Sequence, residues 1–226
     1  MISAATLGLM RDWLPELLVA AGYTLRMAVL AYLVGLAAGL LVAFGEMSRR
    51  RWLARACRAY VEFVRGTPTL IQLFLIYFGL PSVGIVLPSF AAAVVALGLH
   101  YAAYMAEIYR AGIAAVDTGQ GEAAAAIGMT RGEAMRLVVL PQALRIVVPP
   151  LANSAVALLK DTSVASLIAA PELMMRADDI TSEYYMPMQV YCLAGVMYFV
   201  MAFPLSLGAR WLERAMARSR LRARKA

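Results

Sequence analysis

A single histidine and only two cysteines, Cys57 and Cys192, leave this 226-residue chain without a disulfide framework or a metal-site spacing. Both cysteines are expected to serve packing. Charge is also scarce, at 15% of residues against 62% hydrophobic, which excludes an ordinary soluble domain and fits a polytopic membrane protein. One membrane domain over 1–226 accounts for the length. No G-x-x-x-x-G-K-[ST] phosphate loop occurs, so the chain itself is not expected to hold ATP in that manner. The N-terminal MISAATLGLMRDWLPELL lacks the basic front and small-residue cleavage site of a secretory signal peptide. The first membrane helix is therefore expected to do the targeting and to be retained. A net charge of +7 invites a nucleic-acid reading, but the basic residues cluster at the ends of apolar segments, and no nucleic-acid partner is expected.

A hydrocarbon core about 30 Å thick needs roughly 20 apolar residues in a helix. Five segments qualify, at approximately 20–45, 63–81, 89–112, 144–170 and 188–210. The expected fold is thus an all-α membrane protein with five transmembrane helices. Arg49, Arg50, Arg51, Arg55 and Arg58 lie in the first connection, and Arg214, Arg218, Arg220, Arg222, Arg224 and Lys225 in the tail. Both regions should be cytoplasmic, which puts the N-terminus outside, the C-terminus inside and the 113–143 connection in the cytoplasm. The 171–187 connection, with Glu172, Asp178, Asp179 and Glu183 against Arg176, reads as an acidic outer loop. Trp13, Trp52, Trp211, Tyr184 and Tyr185 fall at predicted boundaries, as interfacial anchors do.

Within the spans, Gly35 and Gly39 form a small-xxx-small pair that permits close helix contact. Arg26 has a stem long enough to snorkel to the headgroups. Thr67 and Pro68 read as N-cap and first residue of the second span, and Gln72 within it as an interhelical hydrogen bonder. In the third, His100, Tyr104 and Glu107 share a face at i, i+4 and i+7. They line a polar pathway, or else Glu107 pairs with Arg110 and His100 is a packing residue. The fourth span, starting beyond Pro149-Pro150, carries Asn153, Ala157, Lys160, Asp161 and Val164 on one stripe, with Ser163 beside it. An ionisable group inside a membrane segment marks a pathway or needs a partner. Adjacent helical residues diverge by about 100°, so Lys160 and Asp161 do not neutralise each other face to face. Asp161 is expected to receive the solute's amino or cationic group, with Lys160 serving packing or the carboxylate. An interhelical salt bridge is the alternative. In the last span, Tyr191 and Tyr198 read as packing or lipid-facing side chains.

The segment GQGEAAAAIGMTRGEAMRLVVLP, 119–141, interrupts these apolar runs. Asp117 with Gln120, and Thr130 with Glu133, have capping-box spacing, so two short helices are expected with Gly128 turning the chain between them. The spacing of Gly119, Glu122-Ala123-Ala124, Gly128 and Leu140-Pro141 closely resembles the EAA loop of ABC-importer permease subunits. The flanks FVRGTPTLIQLFLIYFGLP, AAYMAEIYRAGI, LPQALRIVVPPLANS and LLKDTSVASLIAAPEL are similar to its polar amino-acid branch. Together they cover most of Glu62–Leu173. The pattern departs at Gly121, where the family usually has a bulky side chain.

The resemblance implies a non-enzymatic transport subunit in the bacterial inner membrane that moves a polar or charged amino acid. It implies that ATP and Mg are bound by a pair of separate ATP-binding subunits, whose grooves receive the Glu122–Gly128 helix. It further implies a second permease chain, identical or paralogous, and an extracytoplasmic solute-binding protein, all in contact with membrane lipid. An ion-coupled secondary transporter is the competing expectation, since it also explains buried Lys160, Asp161 and Glu107. It would more often show internal repeats, and none is visible. A structural membrane scaffold explains the spans without the polar stripe or the elbow.

Overall fold

Arg11 to Ala31 already contains the reason the first helix is long: leucine, valine and alanine dominate, and Pro15 is the one proline in it. In the computed structural model, which describes the backbone of residues 4–223 and the side chains of 11–216, this helix, α1, runs Ala4–Glu46. The helices that follow are α2 (Arg51–Gly66), α3 (Thr69–Phe74), α4 (Ser89–Ala114), α5 (Thr118–Ala126), α6 (Arg131–Glu133), α7 (Leu140–Asp161), α8 (Leu173–Tyr184) and α9 (Pro187–Ala223). No strand occurs among the described residues. Of the basic tail, Arg224 and Lys225 lie outside the described residues, as do the side chains of Arg218, Arg220 and Arg222.

Four helical runs have the length and apolarity to cross a bilayer: Arg11–Glu46, Ser89–Ala114, Arg131–Ile168 and Pro187–Met216. The first starts earlier than the expected 20–45. The expected crossing at 63–81 is not one straight helix. The chain bends by 113° between Arg51–Gly66 and Thr69–Val83, so a fifth crossing exists only if this bent pair is counted. The cause is local. Pro68 forces the preceding Thr67 out of helical space, to φ −118° and ψ 147°, and has no N–H to continue a ladder. Pro68 itself, not Thr67, is the cap, and Thr69 is the first helical residue. The Thr67 hydroxyl instead donates to the Phe63 carbonyl (2.9 Å) and accepts from Gln72 Nε2 (2.8 Å).

Pro149 and Pro150 do not delay the fourth run; α7 passes straight through them. Each lacks the N–H that would reach four residues back, and the Ser154 hydroxyl bonds back to the Pro150 carbonyl (3.0 Å). A π turn at Ala134–Val139 joins α6 to α7, and a 3₁₀ turn at Thr162–Ile168 extends the far end.

Helix α4 is the centre of the bundle. In its most apolar stretch 61% of residues are buried, against 33%, 17% and 22% in the other three runs. Its alanines and glycines permit this, because small side chains let backbones approach. A Cβ on Gly39 of α1 would lie 2.8 Å from both the Ala102 carbonyl oxygen and Met105 Cβ, and one on Gly98 would lie 2.6 Å from Val34 Cγ1. Met27, Leu73, Leu97, Met105, Leu158 and Leu159 fill the core between α1, α3, α4 and α7. Large apolar residues such as Leu18, Val19 and Leu41 remain exposed, as lipid-facing positions do.

Gly39→Leu is accordingly expected to lower the thermal midpoint of the detergent-purified chain by the equivalent of about 1–3 kcal/mol, the usual range for overpacking. Gly22→Leu, at a position with nothing within 4 Å, should shift it far less. Equal midpoints for the two variants would disprove the close α1–α4 approach.

At the opposite end of the bundle, α8 packs on the N-terminal part of α1 and on α9 through Trp13, Leu17, Leu173, Ile180 and Val190. Trp13 is therefore not a boundary anchor: it is 2% exposed and meets Tyr184 edge-on. Trp52, Trp211 and Tyr185 are exposed. The 171–187 connection is also less acidic on its surface than its sequence. Glu172 is buried, caps α8 through the Met175 N–H (2.6 Å) and accepts from the Tyr198 hydroxyl (2.6 Å). Burial pushes its carboxyl above the usual range. Arg176 pairs with Glu16 of α1 and with Asp179 (3.3 Å). Tyr191 donates to Asp178 (3.1 Å), so both tyrosines of α9 hold acids on α8's side of the bundle. Cys57 is half-buried, close against Gly45, whereas Cys192 is exposed and has no packing role of the kind expected.

Candidate functional site

Two regions carry chemistry: a polar chamber between α3, α4 and α7, and the elbow formed by α5 and α6. The chamber, a cavity of about 530 Å³, is lined by Thr69, His100, Tyr101, Tyr104, Pro150, Asn153, Ser154, Ala157 and Asp161. Its size falls within the roughly 300–1,000 Å³ usual for small-molecule sites. The structure thus brings together His100, Tyr104, Asn153 and Asp161 from the sequence-based candidates.

Glu107, Lys160 and Ser163 are elsewhere. Glu107 lies one turn beyond Tyr104 and pairs with Arg110 at 2.5 Å. The two residues line a separate vestibule of about 600 Å³ with Glu46, Arg58, Glu62, Arg65 and Tyr104. Lys160 and Ser163 line a third hollow, about 350 Å³, against Tyr191 and Tyr198 of α9. Helical divergence separates Lys160 from Asp161 as its geometry requires, and no salt bridge joins either residue to another described side chain. The expected single stripe of Asn153, Lys160 and Asp161 is corrected accordingly: Asn153 and Asp161 share the chamber and Lys160 does not.

Asp161 is the one ionisable carboxylate lining the chamber, and no lysine or arginine lines it. Its Oδ2 accepts from the Tyr101 hydroxyl at 2.7 Å. It sits at the C-terminal end of α7, where the helix dipole adds negative potential. A carboxylate so placed favours a cationic guest. Tyr101 was not visible as a site residue in the sequence. It lies one position off the His100–Tyr104 face, and only the packing of α4 on α7 brings it to Asp161.

His100 has both ring nitrogens engaged. Gln72 Nε2 donates to the Val64 carbonyl (2.7 Å) and to Thr67, which leaves its Oε1 to accept from His100 Nδ1 at 3.0 Å. Nε2 then accepts from the Thr69 hydroxyl at 3.2 Å. The ring therefore presents a face, not a free nitrogen, to the chamber, and ties α4 to the corner between α2 and α3. Gln72 is the interhelical bonder that its position in an apolar helix predicts.

The elbow is built by its caps. Asp117 accepts from the Gly119 N–H (2.8 Å) to start α5, but Gln120 does not close the expected box. Its Oε1 accepts instead from Gln142 Nε2 (3.1 Å), linking α5 to the base of α7. At the other end, Gly128 takes φ +86°, with Met129 N–H bonded to the Ala124 carbonyl (3.1 Å) and Gly128 N–H to that of Ala125 (3.0 Å). This is a Schellman closure, which needs a residue free to adopt positive φ. Thr130 and Glu133 then form the reciprocal capping box. Ala124 is buried, while Glu122, Ala123, Gly128 and the 76%-exposed Ile127 form the free surface of the bend. A Cβ added at Gly121, where the pattern departs, would meet nothing within 4 Å, so a bulkier residue would fit. Leu140 and Pro141 open α7 directly beyond the π turn.

Comparison with known proteins shows the family of the chain. Residues 35–218 match the family described as "Binding-protein-dependent transport system inner membrane component". The chain is 39% identical over 197 residues to the "Probable glutamine ABC transporter permease protein GlnM" of Bacillus subtilis (strain 168), covering 87% of this chain and 91% of that protein. It is also 39% identical over 197 residues to the "L-cystine transport system permease protein TcyB" of the same strain, covering 87% and 84%. Among solved structures, it superposes with a TM-score of 0.87 at 39% identity on one described as "Crystal structure of an amino acid ABC transporter with histidines", covering 91% of this chain and 96% of that one. With a family match over most of its length and relatives aligned nearly end to end, the chain belongs to the binding-protein-dependent inner membrane components and is an amino-acid ABC transporter permease.

Proposed function

We propose that the chain passes a cationic or zwitterionic amino acid through the Asp161 chamber, driven by ATP hydrolysed in a separate subunit seated on the α5–α6 elbow. The observation that carries this reading is the chamber itself, an open cleft on a bundle of membrane-spanning helices whose one carboxylate has no cationic partner among the described residues. An amino acid supplies the missing ammonium. In this reading the second crossing is the bent pair Arg51–Gly66 and Thr69–Val83, which makes five in all. The arginine-rich α1–α2 connection and the elbow face the cytoplasm of a bacterial inner membrane, and the N-terminus lies outside. Five crossings are few to enclose a path, so two permease chains pair about a two-fold axis. An extracytoplasmic solute-binding protein delivers the amino acid to the α8 side. ATP and Mg belong to the partner subunits. Family membership favours this over an ion-coupled carrier or a passive scaffold.

The experiment is uptake into sealed vesicles containing the permease, its cognate ATP-binding subunit and the solute-binding protein. Labelled arginine or glutamine should accumulate only with ATP and Mg. Accumulation driven by a proton or sodium gradient without nucleotide would overturn the reading.

A further inference from the structure

The chamber and the charged vestibule are separate cavities, and among the described residues Tyr104 alone lines both. Its ring is packed on the chamber side by His100, with centroids 5.1 Å apart, and by Tyr101, 6.1 Å away. On the vestibule side the Arg65 guanidinium lies over the ring, with Cζ 5.5 Å from its centroid. The Tyr104 hydroxyl makes no hydrogen bond among the described residues, and Arg65 no ion pair; of the three acids in the vestibule, Glu107 is held by Arg110, and neither Glu46 nor Glu62 pairs with Arg65. Arg65 also ends α2, immediately before the 113° bend. That corner is fixed from the other side by the bonds of Gln72 to Val64 and Thr67 and of His100 to Gln72.

From this arrangement we infer that Tyr104 and Arg65 form the partition between chamber and vestibule, and that it opens when a cationic group on the solute replaces the Arg65 guanidinium on the Tyr104 ring. The inference rests on the Asp161 chamber being the solute's stopping place. A ring face attracts any nearby cation and does not discriminate finely between a guanidinium and an ammonium. A cationic solute leaving Asp161 therefore exchanges one contact for an equivalent one. A solute without a free positive group at that end has nothing to offer the ring, and must break the contact uncompensated. The pair thus acts after binding, on passage, and favours solutes with a second positive group.

The test uses the complete transporter in nanodiscs, with Cys57→Ala and Cys192→Ala as background and Asn153→Cys as a reporter inside the chamber. A small cationic thiol reagent is the probe. Arg65→Ala and Tyr104→Leu are each expected to raise the reporter's labelling rate about two- to fivefold, the scale of one solvent-exposed cation–π contact. Arg65→Lys and Tyr104→Phe, which keep a cation and a ring, should return it to the parental rate. Arg65 is exposed, so its variants report even if Tyr104→Leu folds poorly. Four equal labelling rates would overturn the partition. Labelled arginine binding in an Asp161→Asn transporter separates the two readings. Unchanged binding with a persistent labelling contrast would remove the chamber's role while the partition stands. Weakened binding with flat labelling would remove the partition alone.

Discussion

Transporters carrying Glu122→Lys together with Gly128→Asp are expected to lose solute-stimulated ATP hydrolysis and to release their ATP-binding subunits during purification. Glu122 is exposed on the first turns of α5, where reversing its charge opposes the positive end of the helix and alters the exposed face of the bend. Gly128 holds φ +86°, a conformation that costs an L-residue roughly 1–2 kcal/mol. The Schellman closure is therefore strained and the exposed Ile127 tip is re-aimed. Losing a central interface anchor removes about 2–4 kcal/mol of association, a factor of roughly 30–1,000 in affinity. Glu122 is exposed and a Cβ at Gly128 would meet nothing within 4 Å, so the permease alone should elute as the parent does, with its melting lowered by no more than the roughly 1–2 kcal/mol of strain at Gly128. Co-purification at the parental ratio would show that the elbow is not the docking surface.

The second large effect is expected at Asp161. Asp161→Asn keeps the shape and can still accept from Tyr101, but it removes the chamber's negative charge. A hydrogen bond to a charged group contributes about 1.5–3 kcal/mol, so solute affinity in reconstituted transporters should weaken by roughly 10–150-fold. Tyr101→Phe should weaken it less, because the carboxylate remains. Lys160→Gln, on the far side of the helix, should leave affinity near the parental value. Unchanged KM and substrate range in Asp161→Asn would end the chamber's claim to bind solute.

Much of the elbow was legible in the chain because its determinants are local. Thr130 and Glu133 are three residues apart, Gly128 follows an alanine run, and Gln72 is a lone amide in an apolar helix; each dictates its own geometry. Gly39 was legible as a close-contact residue for the same reason. Tertiary partners were not. Nothing in the order of residues says that Tyr101 meets Asp161, 60 positions on, or that Glu172 turns inward to Tyr198. Proline was legible at one place and not at the other. Pro68 starts a new helix as the Thr67-Pro68 pair implies, one position later than read, because it drives Thr67 into extended backbone and supplies no N–H to bridge the gap. Pro149 and Pro150 broke nothing: α7 continues through them although the Arg145 and Ile146 carbonyls lose their helical donors, and the Tyr32 hydroxyl holds the helix just beyond, at the Leu151 carbonyl (3.0 Å). Trp13 and Glu172 show the same limit, since residue type alone does not reveal which surface α8 covers.

The uninterrupted course of α7 has a mechanical meaning. From Pro141 to Asp161 is twenty residue steps, about 30 Å at 1.5 Å per step. In the proposed reading, one helix thus begins beside the elbow offered to the ATP-binding subunit and ends at the carboxylate offered to the solute. Its ladder is thinnest at the paired prolines, so compliance is concentrated there, and the helix acts as two short rigid arms joined at one hinge, across which a displacement at one end changes the angle of the other.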